Sequence, residues 1–213
     1  MRYRLLALAA LCIGLLAGCR GGEPLPDSRP TPISAAAGSE GGGSAEQGGG
    51  VGQVIALRLW TLQNEGFDDA YRALADAYVA ANPGVTVTVE SLDVGSYATM
   101  LQDGLAAGTA GDVVQLTGAT ACVYSAHLSA APDAVLAADP QAAFPPVLLG
   151  GFICDGALYG LPQESTVPWG LAVSGSSPAA DVAWDFVRFA TLDPTNAAAW
   201  NEATTTLPAL TAP

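Results

Sequence analysis

From residue 54 onward the apolar positions alternate between two periods. Val54-Ile55-Ala56-Leu57-Arg58-Leu59-Trp60 is apolar enough for a buried strand of a parallel sheet. Over Glu65 to Ala81 the spacing widens to three and four. Phe67, Tyr71, Leu74, Tyr78 and Ala81 then share one face, which predicts a helix with Asp68 and Asp69 in its first turn. Asn82-Pro83-Gly84 stops it, and Val85-Thr86-Val87-Thr88-Val89-Glu90 alternates as a β-branched strand. Ser96 to Ala107 is a second helix, with Tyr97, Leu101 and Leu105 in register and Gly108 as its stop. Asp112-Val113-Val114-Gln115-Leu116 is a third short strand. Strand–helix alternation of this kind predicts an α/β fold with a mostly parallel sheet flanked by helices.

Beyond residue 150 the signals are local. Ile153 to Tyr159 reads as a tight hairpin around Asp155-Gly156. Pro168 to Val173 is a strand candidate. Ser177-Pro178 is a cap followed by a first-turn proline. The helix after it, to about Ala190, places Ala183, Phe186, Val187 and Ala190 on one face. Asp193-Pro194 repeats the cap and opens a last helix through Trp200. Trp184 and Trp200 fall in helical patterns and read as core.

The first 53 residues change the picture. Arg2 and Arg4 precede an apolar run from Leu5 to Leu16, too short to span a bilayer comfortably. Leu16-Ala17-Gly18-Cys19 follows and resembles the bacterial lipobox, in which cleavage precedes a cysteine that becomes lipidated. Residues 1–18 are therefore expected to be a lipoprotein signal peptide and Cys19 the anchor. Two or more acyl chains would hold the chain stably to the extracytoplasmic face of the cell membrane. Residues 19–53 carry Gly, Pro, Ser, Glu and Ala with no aromatic residue. They read as a disordered tether that cannot bury enough apolar surface to fold. The folded domain is expected over 54–213.

Charge and rare residues narrow the chemistry. The net charge of −13 repels phosphate backbones, so nucleic acid is not an expected partner. The one histidine, His127, has no catalytic companions, no Gly-x-Ser-x-Gly elbow exists, and no metal-ligand cluster is apparent. No enzyme activity, metal or cofactor is expected. Once Cys12 leaves with the signal and Cys19 is lipidated, Cys122 and Cys154 remain in an oxidising compartment. They are expected to form a disulfide, the alternative being two separate buried thiols.

Several runs then resemble one family. Leu59-Trp60-Thr61, Tyr78 to Val85 and Leu105 to Gln115 are similar to the first lobe of extracellular solute-binding proteins. These are the lipid-tethered receptors of ABC importers, the sugar-binding group in particular. Asp155 to Pro162 resembles the family's hairpin before the hinge, and Trp169 to Ser174, Ala183 to Val187 and Leu207-Pro208 resemble its C-terminal segment. The resemblance implies a periplasmic-binding-protein-like fold of type II, a carbohydrate ligand and an ABC permease as partner. Family members are about twice this length, with two lobes around a cleft. Here Gly160-Leu161-Pro162 runs almost straight into Val167-Pro168-Trp169, where the family places most of its second lobe. A single lobe plus C-terminal helices is therefore expected. A truncated, non-transport interaction lobe or inactive remnant stands as the alternative.

In open sheets of this type ligands lie at the carboxyl ends of the strands. Trp60 would there stack on a sugar ring or cap the core. Gln63, Asn64 and Glu65 would pair with hydroxyls, unless Asn64 caps its helix. Thr117 and Gly118 would admit a ligand near backbone or form a plain turn. Gln163, Glu164 and Trp169 lie by the expected hinge, where Trp169 is either a second platform or buried.

Overall fold

The chain follows the expected alternation through its first half. β1 (Ile55–Leu62) leads into α1 (Glu65–Ala81), β2 (Val85–Leu92), α2 (Tyr97–Ala107) and β3 (Val113–Thr117). Four short helices follow: α3 (Gly118–Tyr124), α4 (Asp133–Leu136), α5 (Pro140–Ala143) and α6 (Pro146–Leu149). The hairpin β4 (Ile153–Cys154) and β5 (Ala157–Leu158) turns on Asp155 and Gly156, both at positive φ. β6 (Leu161–Pro162), β7 (Trp169–Val173), α7 (Ala180–Thr191) and α8 (Pro194–Thr204) complete the domain. The computed structural model describes residues 54–211. The signal at 1–18, Cys19 and the 19–53 tether lie outside them.

The main sheet has the order β2-β1-β3-β7-β6. β1 pairs in parallel with β2 along its length and with β3 at Leu59 and Trp60. β7 lies antiparallel to β3 and β6 antiparallel to β7. The sheet is thus mixed but mostly parallel, with β7 alone reversed. The expected α/β fold is present, and the reversed strand is the feature that periodicity does not disclose.

Apolar faces explain the packing. Tyr71, Leu74 and Tyr78 of α1 are buried with Phe186 and Trp184 of α7, and Trp200 of α8 is 2% exposed. Tyr78 sets its ring edge-on to Phe186 at 5.2 Å. Trp184 and Trp200 are core, as the helical patterns indicate. Two apolar assignments on α1 differ: Ala81 is exposed, and Phe67 is half-buried.

Helix ends follow local chemistry. Gly108 closes α2 at φ 69°, and the Asp193 carboxylate accepts from the Thr195 and Asn196 amides at the start of α8. α7 begins at Ala180, later than Ser177-Pro178 suggests; the Ser177 hydroxyl donates to Asp112 at 2.6 Å and accepts from the Ala179 amide at 3.2 Å. α8 runs past Trp200 to Thr204. Cys122 and Cys154 are bridged, tying α3 to the β4–β5 hairpin. No helix among the described residues is long and apolar enough to cross a membrane.

Candidate functional site

β1 does not end at Trp60; it continues to Leu62, and this changes which side chains reach the sheet's carboxyl edge. Trp60 is 7% exposed. Its indole N–H donates to Glu90 at 2.6 Å, and the Arg58 guanidinium stands 5.5 Å from its ring centroid. A Cβ on Gly104 or Gly111 would fall 2.8–2.9 Å from the ring, so both glycines are small because the indole covers them. Arg58 closes the corner by donating twice to Glu90, at 2.8 Å each. That hydrogen bonding holds the Glu90 carboxyl below its ordinary value, with the Trp60 N–H assisting. Trp60 is therefore core and not an open platform, which corrects its expected role.

A groove of about 300 Å³ opens instead where β1 ends and β7 begins. Leu62, Asn64 and Phe67 form one side, Glu164, Thr166, Val167 and Trp169 another, and Thr205 and Thr206 a third, with Gln115 at the base. Three of the expected residues thus meet here: Asn64, Glu164 and Trp169. Asn64 precedes α1 but makes no side-chain capping bond, so its amide stays free. Trp169 is half-buried at the start of β7.

Loop geometry positions Glu164. The Gln163 amide donates to the Trp169 carbonyl at 2.9 Å, and Ser165 donates to the Leu207 carbonyl at 3.1 Å. Glu164 itself bridges to Pro208. The C-terminal segment is thereby stapled beneath the loop. Glu164 is 3% exposed, yet its carboxylate accepts no hydrogen bond among the described residues. Burial pushes this carboxyl above its ordinary value.

The other expected residues lie elsewhere. Gln163 is buried: its side-chain oxygen accepts from the Tyr71 hydroxyl at 2.5 Å, and its backbone carbonyl from Asn201 at 3.2 Å. Gln63 and Glu65 are exposed outside the groove. Thr117 ends β3, where its amide donates to the Thr120 hydroxyl at 3.2 Å as a cap for α3. Gly118 packs against Gly151, whose Cα would lie 3.1 Å from a Cβ there; it serves close packing and not ligand approach. His127 is exposed in a short 3₁₀ turn, and no group of three or more metal-ligating side chains exists among the described residues.

Gln115, Phe67, Thr205 and Thr206 are groove residues that sequence reasoning missed. Gln115 had a signal: one amide inside the apolar run Val113-Val114-Gln115-Leu116. It is 1% exposed, and its oxygen accepts from the Leu62 amide at 2.9 Å, continuing the β1–β3 connection where backbone pairing has stopped. A hollow of about 450 Å³ between Ala131 and Leu158 is also present, but it lies by the β4–β5 hairpin and not at the strand ends.

A single α/β lobe with its groove at the strand carboxyl ends has the periplasmic-binding-protein-like fold, and solved structures of sugar-binding extracellular receptors share it. The GacH receptor of Streptomyces glaucescens, solved unliganded and with acarbose, superimposes with a TM-score of 0.66 at 10% identity. The match covers 73% of this chain and 80% of that one. The ABC transporter associated binding protein of B. animalis subsp. lactis, solved with β-1,6-galactobiose, gives 0.61 at 11% identity over 74% and 76%. Against UspC of M. tuberculosis the chain spans about a quarter of that protein's length: 26%, against 52% of its own, with a TM-score of 0.45 and 24% identity. No protein-family model matches the chain, and no curated protein matches it by sequence.

Proposed function

We propose that this chain is a membrane-tethered, extracytoplasmic solute-binding component of an ABC importer, with a carbohydrate as its ligand. The observation that carries the reading is the groove, where the free Asn64 amide, the Trp169 ring and the unpartnered Glu164 carboxylate converge at the sheet's carboxyl edge. An indole face packs on the C–H face of a pyranose, and amide, hydroxyl and carboxylate groups pair with its hydroxyls. The two structures with the same fold were solved with carbohydrates, acarbose and galactobiose. Cys19 would carry the lipid and 19–53 would span the distance from the membrane to the domain. Reversible capture followed by delivery to a permease is the mechanism such a site serves.

The test is calorimetric titration of the full-length chain in detergent against mono- and oligosaccharides. Saturable heat from at least one sugar, weakened by Trp169→Ala, supports the reading; no heat from any refutes it. Mass spectrometry of the mature N-terminus tests the anchor, and a free, unmodified Cys19 sinks it.

One observation favours a second reading, an interaction lobe that no longer captures solute. β6 reaches β7 through a short loop, so the groove is walled by a single lobe at this point. Its volume is at the lower end of the roughly 300–1,000 Å³ usual for ligand pockets. This reading expects a silent titration and retention of the folded domain on a partner chain.

A further inference from the structure

Glu164 brings to the groove a carboxylate that no residue of the described domain pairs. It is 3% exposed, and no donor reaches its carboxylate. Its oxygens are not among the fully buried unpartnered atoms of the described residues, so groove water reaches them, and a ligand entering the groove displaces that water and has to supply the donor or the counter-charge. Pairing within the domain is unavailable. The arginines of the described residues are Arg58, Arg72 and Arg188, and each is joined to another acid: Glu90, Asp69 and Asp185. None of them lines the groove, and the sequence contains no lysine.

A second acid deepens the negative field. Asp68, 6% exposed in the first turn of α1, has one buried oxygen without a partner. Burial first, and then the neighbouring Tyr97, Glu164 and Asp68, hold the Tyr71 phenol well above its ordinary range. The two aromatic side chains of the groove, Trp169 and Phe67, add negative ring faces of the kind that attract ammonium groups. The chain as a whole carries −13, so an anionic solute is repelled at long range as well.

We infer that the groove takes a cation-bearing solute, an amino sugar or comparable amine-bearing polyol, with Glu164 as its counter-ion. The inference rests on the reading of this groove as the ligand site. The ammonium group donates to the Glu164 carboxylate while the ring stacks on Trp169. Uronic acids and sugar phosphates are rejected because no basic side chain faces them.

The experiment uses six probes on the full-length chain at neutral pH: glucosamine and galactosamine, glucose and galactose, and the two N-acetylated amino sugars. The N-acetyl forms keep the substituent's position and remove its charge. A charge-assisted hydrogen bond of the usual strength gives an amine about 10- to 100-fold tighter binding than its neutral counterparts. Glu164→Gln keeps the shape of the groove and abolishes that preference. A thermal melt of the variant accompanies the titration, and the wild-type comparison of amine with N-acetyl form decides the matter should the variant unfold. Equal binding of amine and neutral sugars, or a preference that survives Glu164→Gln, overturns this inference and leaves carbohydrate binding standing. Silence from all six probes overturns this inference, and the carbohydrate reading falls with it only when the oligosaccharides are silent as well.

Discussion

Two corners of the same sheet contain the same two residue types, a tryptophan and a glutamate, with opposite results. At the β1–β2 flank, Trp60 is buried, its N–H is bound to Glu90, and Glu90 is bound twice by Arg58. At the β1–β7 end, Trp169 is half-buried and the Glu164 carboxylate accepts no hydrogen bond from the described residues. The first corner is chemically complete and serves stability. The second leaves a carboxylate and an aromatic face open to the groove, the arrangement on which the proposed ligand site rests. Trp60 and Glu90 satisfy one another inside the fold, whereas Glu164 faces the groove without a protein partner.

The largest expected effect that sharpens this contrast comes from Trp60→Ala. Removing a buried indole from a packed corner should cost about 3–5 kcal/mol, read as a fall in denaturation midpoint. Binding by the folded fraction should be unchanged. A weaker ligand affinity with an unchanged melt would erase the distinction between the corners. The Cys122–Cys154 bridge offers a reference away from both. Replacing both cysteines with serine should lower stability by about 3–4 kcal/mol, since the bridge closes a loop of 32 residues' separation, and should leave ligand preference intact.

Trp169→Ala should do the reverse of Trp60→Ala. Losing a stacking surface worth about 0.5–1.5 kcal/mol should weaken ligand binding several-fold, with little change in the melt. Calorimetry of this variant beside wild type separates the effects.

The smallest effect is the pH dependence of the two glutamates, and its signs are opposed. The Glu90 carboxyl lies below its ordinary value through its bonds to Arg58, so it contributes stability above the unfolded-state value and loses it as pH falls through its own. Glu164 lies above its ordinary value through burial. Its charged form opposes folding above that raised value, and the penalty disappears as pH falls through it. Glu164→Gln should therefore raise Tm slightly at neutral pH and lose that advantage on mild acidification. Glu90→Gln should lower Tm at neutral pH and approach wild type only at lower pH. Parallel melts from about pH 3 to 7 check both, and matching slopes for the two variants would contradict the contrast.

The half of the fold built from long periodic elements was legible. α1 begins and ends at the residues its pattern gives, and the Asp155-Gly156 hairpin and the Asp193 cap of α8 follow from turn and cap chemistry. The helices α3 to α6 were not legible. Each has seven residues or fewer, too short to display a helical period. The lining of the candidate groove was legible in part. Asn64, Glu164 and Trp169 sit where a strand-edge argument puts them, but Trp60 does not, because a strand that runs on to Leu62 carries its indole inward against Gly104. Thr205 and Thr206 had no local signal. Their place in the groove depends on a left-handed turn at Thr205 that returns the chain, with the Thr206 amide donating to the Asn201 carbonyl at 3.1 Å.

The contrast between the corners reduces to one spectrum. Trp60, Trp169, Trp184 and Trp200 are the only tryptophans of the sequence, so a ¹⁵N-labelled chain gives one indole N–H signal for each. On titration with glucosamine the Trp169 signal should move progressively to saturation, while that of Trp60, held by Glu90, stays fixed. Movement of Trp60 with Trp169 unchanged, or no movement of any indole, would contradict the placement of the ligand in this groove.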